Sequence, residues 1–79
     1  MKANVYVTLK RSVLDPQGKV IQQALSRLGY SEVKDVRQGK YFELELETLE
    51  RRKAAAQLEE MCKRLLANPV IHNYKVTFR

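Results

Sequence analysis

Residues 37–44 read Arg37-Gln38-Gly39-Lys40-Tyr41-Phe42-Glu43-Leu44. Gly39 is the one residue of this stretch that takes a positive φ without steric cost, so it marks the turn of a β-hairpin. Beyond it the chain alternates. Phe42, Leu44 and Leu46 point one way; Tyr41, Glu43, Glu45 and Glu47 point the other. One face belongs to a core, and the other meets water or a partner.

The flanking sequence supplies the rest of a small fold. Asn4 to Lys10 alternates as a half-buried strand, with Val5, Val7 and Leu9 on one face and Tyr6, Thr8 and Lys10 on the other. Arg11 to Leu14 connects it to Asp15-Pro16-Gln17-Gly18, a helix start. The Asp15 carboxylate accepts from free first-turn amides, and Pro16 suits the first helical position. Val20, Ile21, Ala24, Leu25 and Leu28 form one apolar stripe, and Gly29 is the stop. Val33 to Arg37 is the first hairpin arm, poorly alternating and therefore an edge strand, with Lys34 and Arg37 discouraging unwanted pairing.

Thr48 is the expected cap of a second helix, with Glu50 near its positive end. Ala54, Leu58, Met61 and Leu65 repeat at four, three and four, widened by Ala55, Cys62 and Leu66. Asn68-Pro69 stops this helix, because the residue before proline disfavours the α region. Asn73 to Arg79 is the last strand, with Tyr74, Val76 and Phe78 on one face.

The order β-α-β-β-α-β predicts an α+β ferredoxin-like two-layer sandwich. It has an antiparallel four-stranded sheet, the first and third strands central, and both helices on one face. Residues 1–79 are expected to form a single domain. Val5, Val7, Leu9, Phe42, Leu44, Leu46, Val76 and Phe78 face the helices, and the other sheet face stays open.

Composition narrows the function. Fifteen Lys and Arg against nine Asp and Glu give a net charge of +6. The charges are scattered, as on a solvated mixed surface. One cysteine excludes an intrachain disulfide, and the start of the chain lacks a signal-peptide pattern; both suit a cytoplasmic location. No apolar run is long enough to span a bilayer, so no membrane association is expected. Cys62 falls on an apolar stripe and His72 in a surface connection, with no ligand cluster around either. No catalytic, cofactor or metal residues emerge.

Three readings of the open face remain. Tyr6 and Tyr41 suit a base-stacking RNA-binding sheet, but Glu43, Glu45 and Glu47 repel phosphates. A regulatory amino-acid-binding module shares the topology but is usually fused to an enzyme. An interaction module fits best, with Tyr6, Thr8, Tyr41, Glu43 and Glu45 as an oligomer contact.

Four stretches carry a resemblance. They are Val13-Leu14-Asp15-Pro16-Gln17-Gly18-Lys19, Asp35 to Leu44, Glu60 to Ile71 with its Leu65-Leu66-Ala67-Asn68-Pro69-Val70-Ile71 core, and Asn73-Tyr74. Together they closely resemble the small PurS subunits of phosphoribosylformylglycinamidine synthase, over nearly the whole chain. The resemblance implies a non-catalytic subunit in purine (IMP) biosynthesis. It bridges a glutaminase (PurQ-type) and a synthetase (PurL-type) subunit, forms a homodimer or homotetramer, and binds no nucleic acid. It implies no cofactor on this subunit, while the complex uses ATP, Mg and glutamine. Subunit contacts are then expected at Asp15, Gln17 and Lys19, at Arg37, Gly39, Lys40 and Tyr41, and at the Asn68-Pro69 corner. Two positions depart from the family pattern. Arg11-Ser12 stands where Pro-Gly is common, and His72 where an acid is usual. The Glu50-Arg51-Arg52-Lys53 segment is also more basic than expected.

Overall fold

The computed structural model describes residues 1–47 and 50–79. The cap expected at Thr48 lies outside the described residues. Alternating apolar residues make β1 (Lys2–Leu9), which buries Ala3, Val5 and Val7 on one side. Two further strands, β2 (Gly39–Glu45) and β3 (His72–Phe78), pair antiparallel with it, giving the order β2-β1-β3. Val5 stands opposite Phe42 and Val76, and Ala3 opposite Leu44 and Phe78. Residues opposite one another share a face, so the apolar positions of all three strands converge as the alternation predicts. Backbone pairing continues past the strand ends: the Leu46 amide donates to the Met1 carbonyl at 2.8 Å, and the Met1 ammonium donates to the Leu46 carbonyl at 2.8 Å.

Helix α2 (Arg51–Met61) covers this face and seats Ala54 and Leu58 fully inside. It runs into a π-helical turn, Cys62–Leu66, where the Ala67 amide donates to the Cys62 carbonyl five residues back, at 2.9 Å. The extra residue in this turn changes which side chains face the sheet. Cys62 and Ala67 are buried, whereas Leu65 is 84% exposed. The burial expected of Leu65 from its helical spacing is therefore corrected.

Helix α1 (Pro16–Arg27) starts as its sequence predicts. Asp15 Oδ1 accepts from the Gly18 amide at 2.8 Å, Pro16 occupies the first turn, and Gly29 follows with φ 103°. Its apolar stripe, however, contributes nothing to the core cluster. Val20 is 61% and Leu28 73% exposed, and Gly18 is the one buried residue of the helix. Of the two helices expected on the sheet, only α2 supplies core residues.

Among the described residues the sheet has three strands, not four. Residues 33–37 are irregular and lie against α1 instead of pairing with β2. The Gln22 side-chain amide donates to Val33 at 3.1 Å, and the Val36 carbonyl lies against Gly18. The expected hairpin is therefore absent, and β2 is an edge strand, not a central one. Gly39 opens β2 directly, and among the described glycines only Gly29 has a positive φ. Gly39 is needed for another reason: a Cβ there would stand 2.6 Å from the Val7 carbonyl oxygen. No helix among the described residues is long and apolar enough to cross a membrane.

Candidate interaction surface

Two surfaces gather the residues expected to make contacts. The first is a recess where β1 ends, β2 begins and α1 starts. Val7, Leu9, Asp15, Gln17, Gln38, Gly39, Lys40 and His72 line it. Asp15 organises it. Its Oδ1 caps α1 at Gly18, and its Oδ2 accepts from the Gln38 amide at 2.7 Å. One buried carboxylate thus clamps the helix start to the β2 start, 23 residues on. The Gln38 and Gly18 amides, with help from the Arg37 charge, hold its pKa below the ordinary aspartate value of 3.8.

Arg37 secures the same junction from outside. Its guanidinium donates to the carbonyls of Lys10 at 2.9 Å and Val13 at 2.8 Å, fastening the connection that contains Arg11-Ser12. Lys19 and Arg37 line a neighbouring depression with Leu14, Lys34, Asp35 and Val36. The Asn68-Pro69 corner reaches the recess through His72, whose Nδ1 accepts from the Asn68 amide at 2.9 Å. Asn68 also accepts from the Val70 amide at 3.0 Å, a tight turn that leaves Val70 exposed. His72 is not in a loop: it begins β3 opposite Leu9, half-buried.

Asp15, Gln17, Gly39 and Lys40 therefore share one recess, with Lys19 and Arg37 beside it and Asn68 joined through His72. Sequence reasoning set His72 apart in a surface connection, and it placed Gln38 at a contact turn without its bond to Asp15. Nothing local marks Gln38, whose part is a backbone amide offered across the fold.

Tyr41 stands apart from Lys40, on the opposite side of the sheet. Its ring meets Tyr6 directly across the strands, with centroids 5.1 Å apart, and its hydroxyl donates to Asn4 Oδ1 at 3.0 Å. Desolvation and then the neighbouring Glu43 push its phenol pKa up. Glu43 lies 3.6 Å from Arg79, and both are more than half exposed, so this pair contributes little stability. Thr8 and Glu45 complete the open face as expected. On the covered side, Tyr74 donates to Glu59 at 2.5 Å, which raises its phenol to about 12 and ties β3 to α2. Burial pushes the Cys62 thiol up, which makes it a poor nucleophile. No group of three or more His, Cys, Asp or Glu converges among the described residues.

The Asp15 clamp sets an acid limit. A carboxylate with a depressed folded-state pKa contributes stability above its unfolded value, and loses it as pH falls through the folded value. Asp15→Asn retains a helix cap but turns an NH2 toward one of the two amide donors, so one bond is lost. Compared with the parent chain, this variant is expected to melt about 4–8 °C lower at pH 7. The gap should close below pH 4. A gap that stays constant down to pH 2 would show that the charge of Asp15 contributes nothing.

The architecture is that of a small α+β domain whose ordered polar groups serve junctions and surfaces. The family model for PurS, phosphoribosylformylglycinamidine (FGAM) synthase, matches residues 2–79. The chain belongs to the PurS family, subunits of an enzyme of purine biosynthesis. It is 53% identical over 74 residues to the PurS subunit of Bacillus subtilis, covering 94% of this chain and 87% of that one. The PurS subunit of Archaeoglobus fulgidus is 43% identical over 79 residues, covering 100% and 99%. A crystal form of B. subtilis PurS superposes with a TM-score of 0.87 at 51% identity, covering 96% and 94%. A chain from the structure of PurLQS of Thermotoga maritima gives 0.87 at 34% identity, covering 96% and 93%. The RNA-binding alternative gains no support from these relatives.

Proposed function

We propose that this chain is the non-catalytic bridge of a phosphoribosylformylglycinamidine synthase. It holds a glutaminase of the PurQ type and a synthetase of the PurL type together. The assembly uses ATP, Mg and glutamine, in the cytoplasm, to convert formylglycinamide ribonucleotide to formylglycinamidine ribonucleotide. What carries this reading is the likeness to the T. maritima chain, solved as part of PurLQS, across 96% of this chain. The structure adds a physical reason for a bridge with two faces. The Asp15–Gln38–Lys40–His72 recess and the Tyr6–Tyr41 face lie on opposite sides of one sheet, so separate partners can engage at once.

A bridge is needed because ammonia in neutral water is mostly protonated and no longer nucleophilic. An enclosed path between subunits keeps it neutral and at high effective concentration. Omitting this chain from a mixture of the two partner subunits should lower glutamine-dependent synthesis by on the order of 10²-fold. Ammonia-dependent synthesis should be unchanged. Equal glutamine-dependent rates with and without the chain would end the bridging reading. Lys40→Ala and Tyr41→Ala should each weaken co-elution with one partner while leaving the domain folded, because their side chains lie on different sides of the sheet. The family reading also makes the chain a homodimer or homotetramer, which the bare stripe of α1 supports.

A further inference from the structure

The corner between the π-turn and β3 closes on a single residue. The Asn68 side chain accepts from the Val70 amide, and its carbonyl accepts from the amides of Ile71 at 3.0 Å and His72 at 2.8 Å. Its own amide donates to His72 Nδ1 at 2.9 Å. The first three bonds join groups that do not titrate. The fourth is different. A backbone N–H can only donate, so Nδ1 must offer a free lone pair, and the ring proton sits on Nε2. A second proton makes both ring nitrogens donors, and Nδ1–H would then face the Asn68 N–H. This bond exists with the neutral ring alone.

We propose that His72 is a proton-operated latch on the Asn68-Pro69 corner: the neutral imidazole holds the corner against the start of β3, and the imidazolium releases it. Histidine is the side-chain type whose charge changes between pH 5 and 8, and His72 is the one histidine of the chain. The recess sets Asp15, at the start of α1, and Lys40, on β2, with the ring, one charge of each sign. Asp15 stays ionised across that range, because its amide donors hold its pKa below 3.8. On β1 the ring stands opposite Leu9, with Lys10 next along; on β3 the next residue of the same side is Tyr74, bonded to Glu59 of α2. The π-turn adds Lys63 and Arg64, both exposed. The ring is thus the member of the recess that switches. Opening is local. Ala67 stays buried on its bond to the Cys62 carbonyl, and the Ile71 carbonyl still accepts from the Lys10 amide at 2.8 Å. The ends of the corner are therefore fixed while residues 68–70, with the exposed Val70, gain freedom. The freed Asn68 amide lies at the surface and turns to water, so the release meets no burial penalty. The latch is a property of the chain alone and does not depend on which partner the corner meets.

Nitrogen-15 NMR of the intact chain from pH 8 to pH 5 tests it. At pH 8 the ring should show a protonated Nε2 and a bare Nδ1. As the ring titrates, the Asn68 amide proton should move upfield along the same curve. Its protection, relative to the intrinsic exchange rate at each pH, should fall by about 2–10-fold. His72→Gln, whose side chain does not titrate, should remove the pH response of Asn68 and leave the strand amides as in the parent. Three results would each overturn the latch: an Nδ1–H ring at pH 8, an Asn68 amide that keeps its shift while the ring titrates, or an unchanged Asn68 response in His72→Gln. The first two are read on the parent chain, so the test holds even if the variant folds poorly.

Discussion

Gly18→Ala is expected to loosen the whole α1 junction and lower stability by about 1–3 kcal/mol or more. A Cβ on Gly18 would stand 2.0 Å from the Val36 carbonyl oxygen and 2.9 Å from its carbon. The obstacle is backbone, so no rotamer change relieves it. Either α1 or the 36–38 segment must shift. The Gly18 amide is also one of the two donors to Asp15, and Gln38 is the other, so the shift strains both bonds. A domain of this length has about 4–12 kcal/mol of stability in total, so the loss is a sizeable fraction. Urea unfolding of parent and variant at one fixed protein concentration measures it, since any oligomer links stability to concentration. A change under 0.5 kcal/mol, the size of an ordinary surface substitution, would mean that the helix start does not rest on residues 36–38.

That junction also shows where sequence reading succeeds and where it stops. Asp15-Pro16 is legible as a helix start because capping is local: donor and acceptor lie three residues apart. The second bond of Asp15, to Gln38, is not legible, because its donor is a backbone amide that every residue but proline carries. The three observed strands are legible because each pairs alternation with a buried face. Val5 with Val7, Phe42 with Leu44, and Val76 with Phe78 leave one choice of inner side. Residues 33–37 lack that alternation, so nothing forces them onto a sheet, and α1 engages them instead through Gln22 and Gly18. Gly39 is read as a turn because it is glycine, yet what demands glycine there is the Val7 carbonyl across the strand pair. Leu65 follows the stripe period until the π-turn adds a residue, a change of hydrogen bonding that apolar spacing does not encode. For the contact residues, the grouping of Asp15, Gln17, Gly39 and Lys40 follows from the β-α-β connection. The separation of Tyr41 from Lys40 follows from strand alternation alone.

Leu58→Ala is expected to cost about 2–5 kcal/mol, the largest loss from truncating any fully buried side chain among the described residues. Leu58 is fully buried and heads the largest such side chains, with Val5, Val7 and Cys62. Its site resists collapse, because its neighbours are constrained. Val5 and Val7 are held by pairing on both sides of β1, and Cys62 opens the π-turn. The cavity therefore stays open, and both the transfer and cavity contributions are lost. Among the described residues α2 and its π-turn supply the only helical side chains of this core, so no second helix moves in to fill the gap. Leu65→Ala is the control: seven residues on, but 84% exposed, it should stay within about 0.5 kcal/mol of the parent. Denaturant unfolding of both variants separates two geometries. If Leu65→Ala costs as much as Leu58→Ala, the helix continues as a regular α-helix past Cys62, and the π-turn that delivers Ala67 inward is wrong. If only Leu58→Ala is costly, Leu65 is held outward at the Asn68-Pro69 corner, available to a partner subunit without any cost in folding.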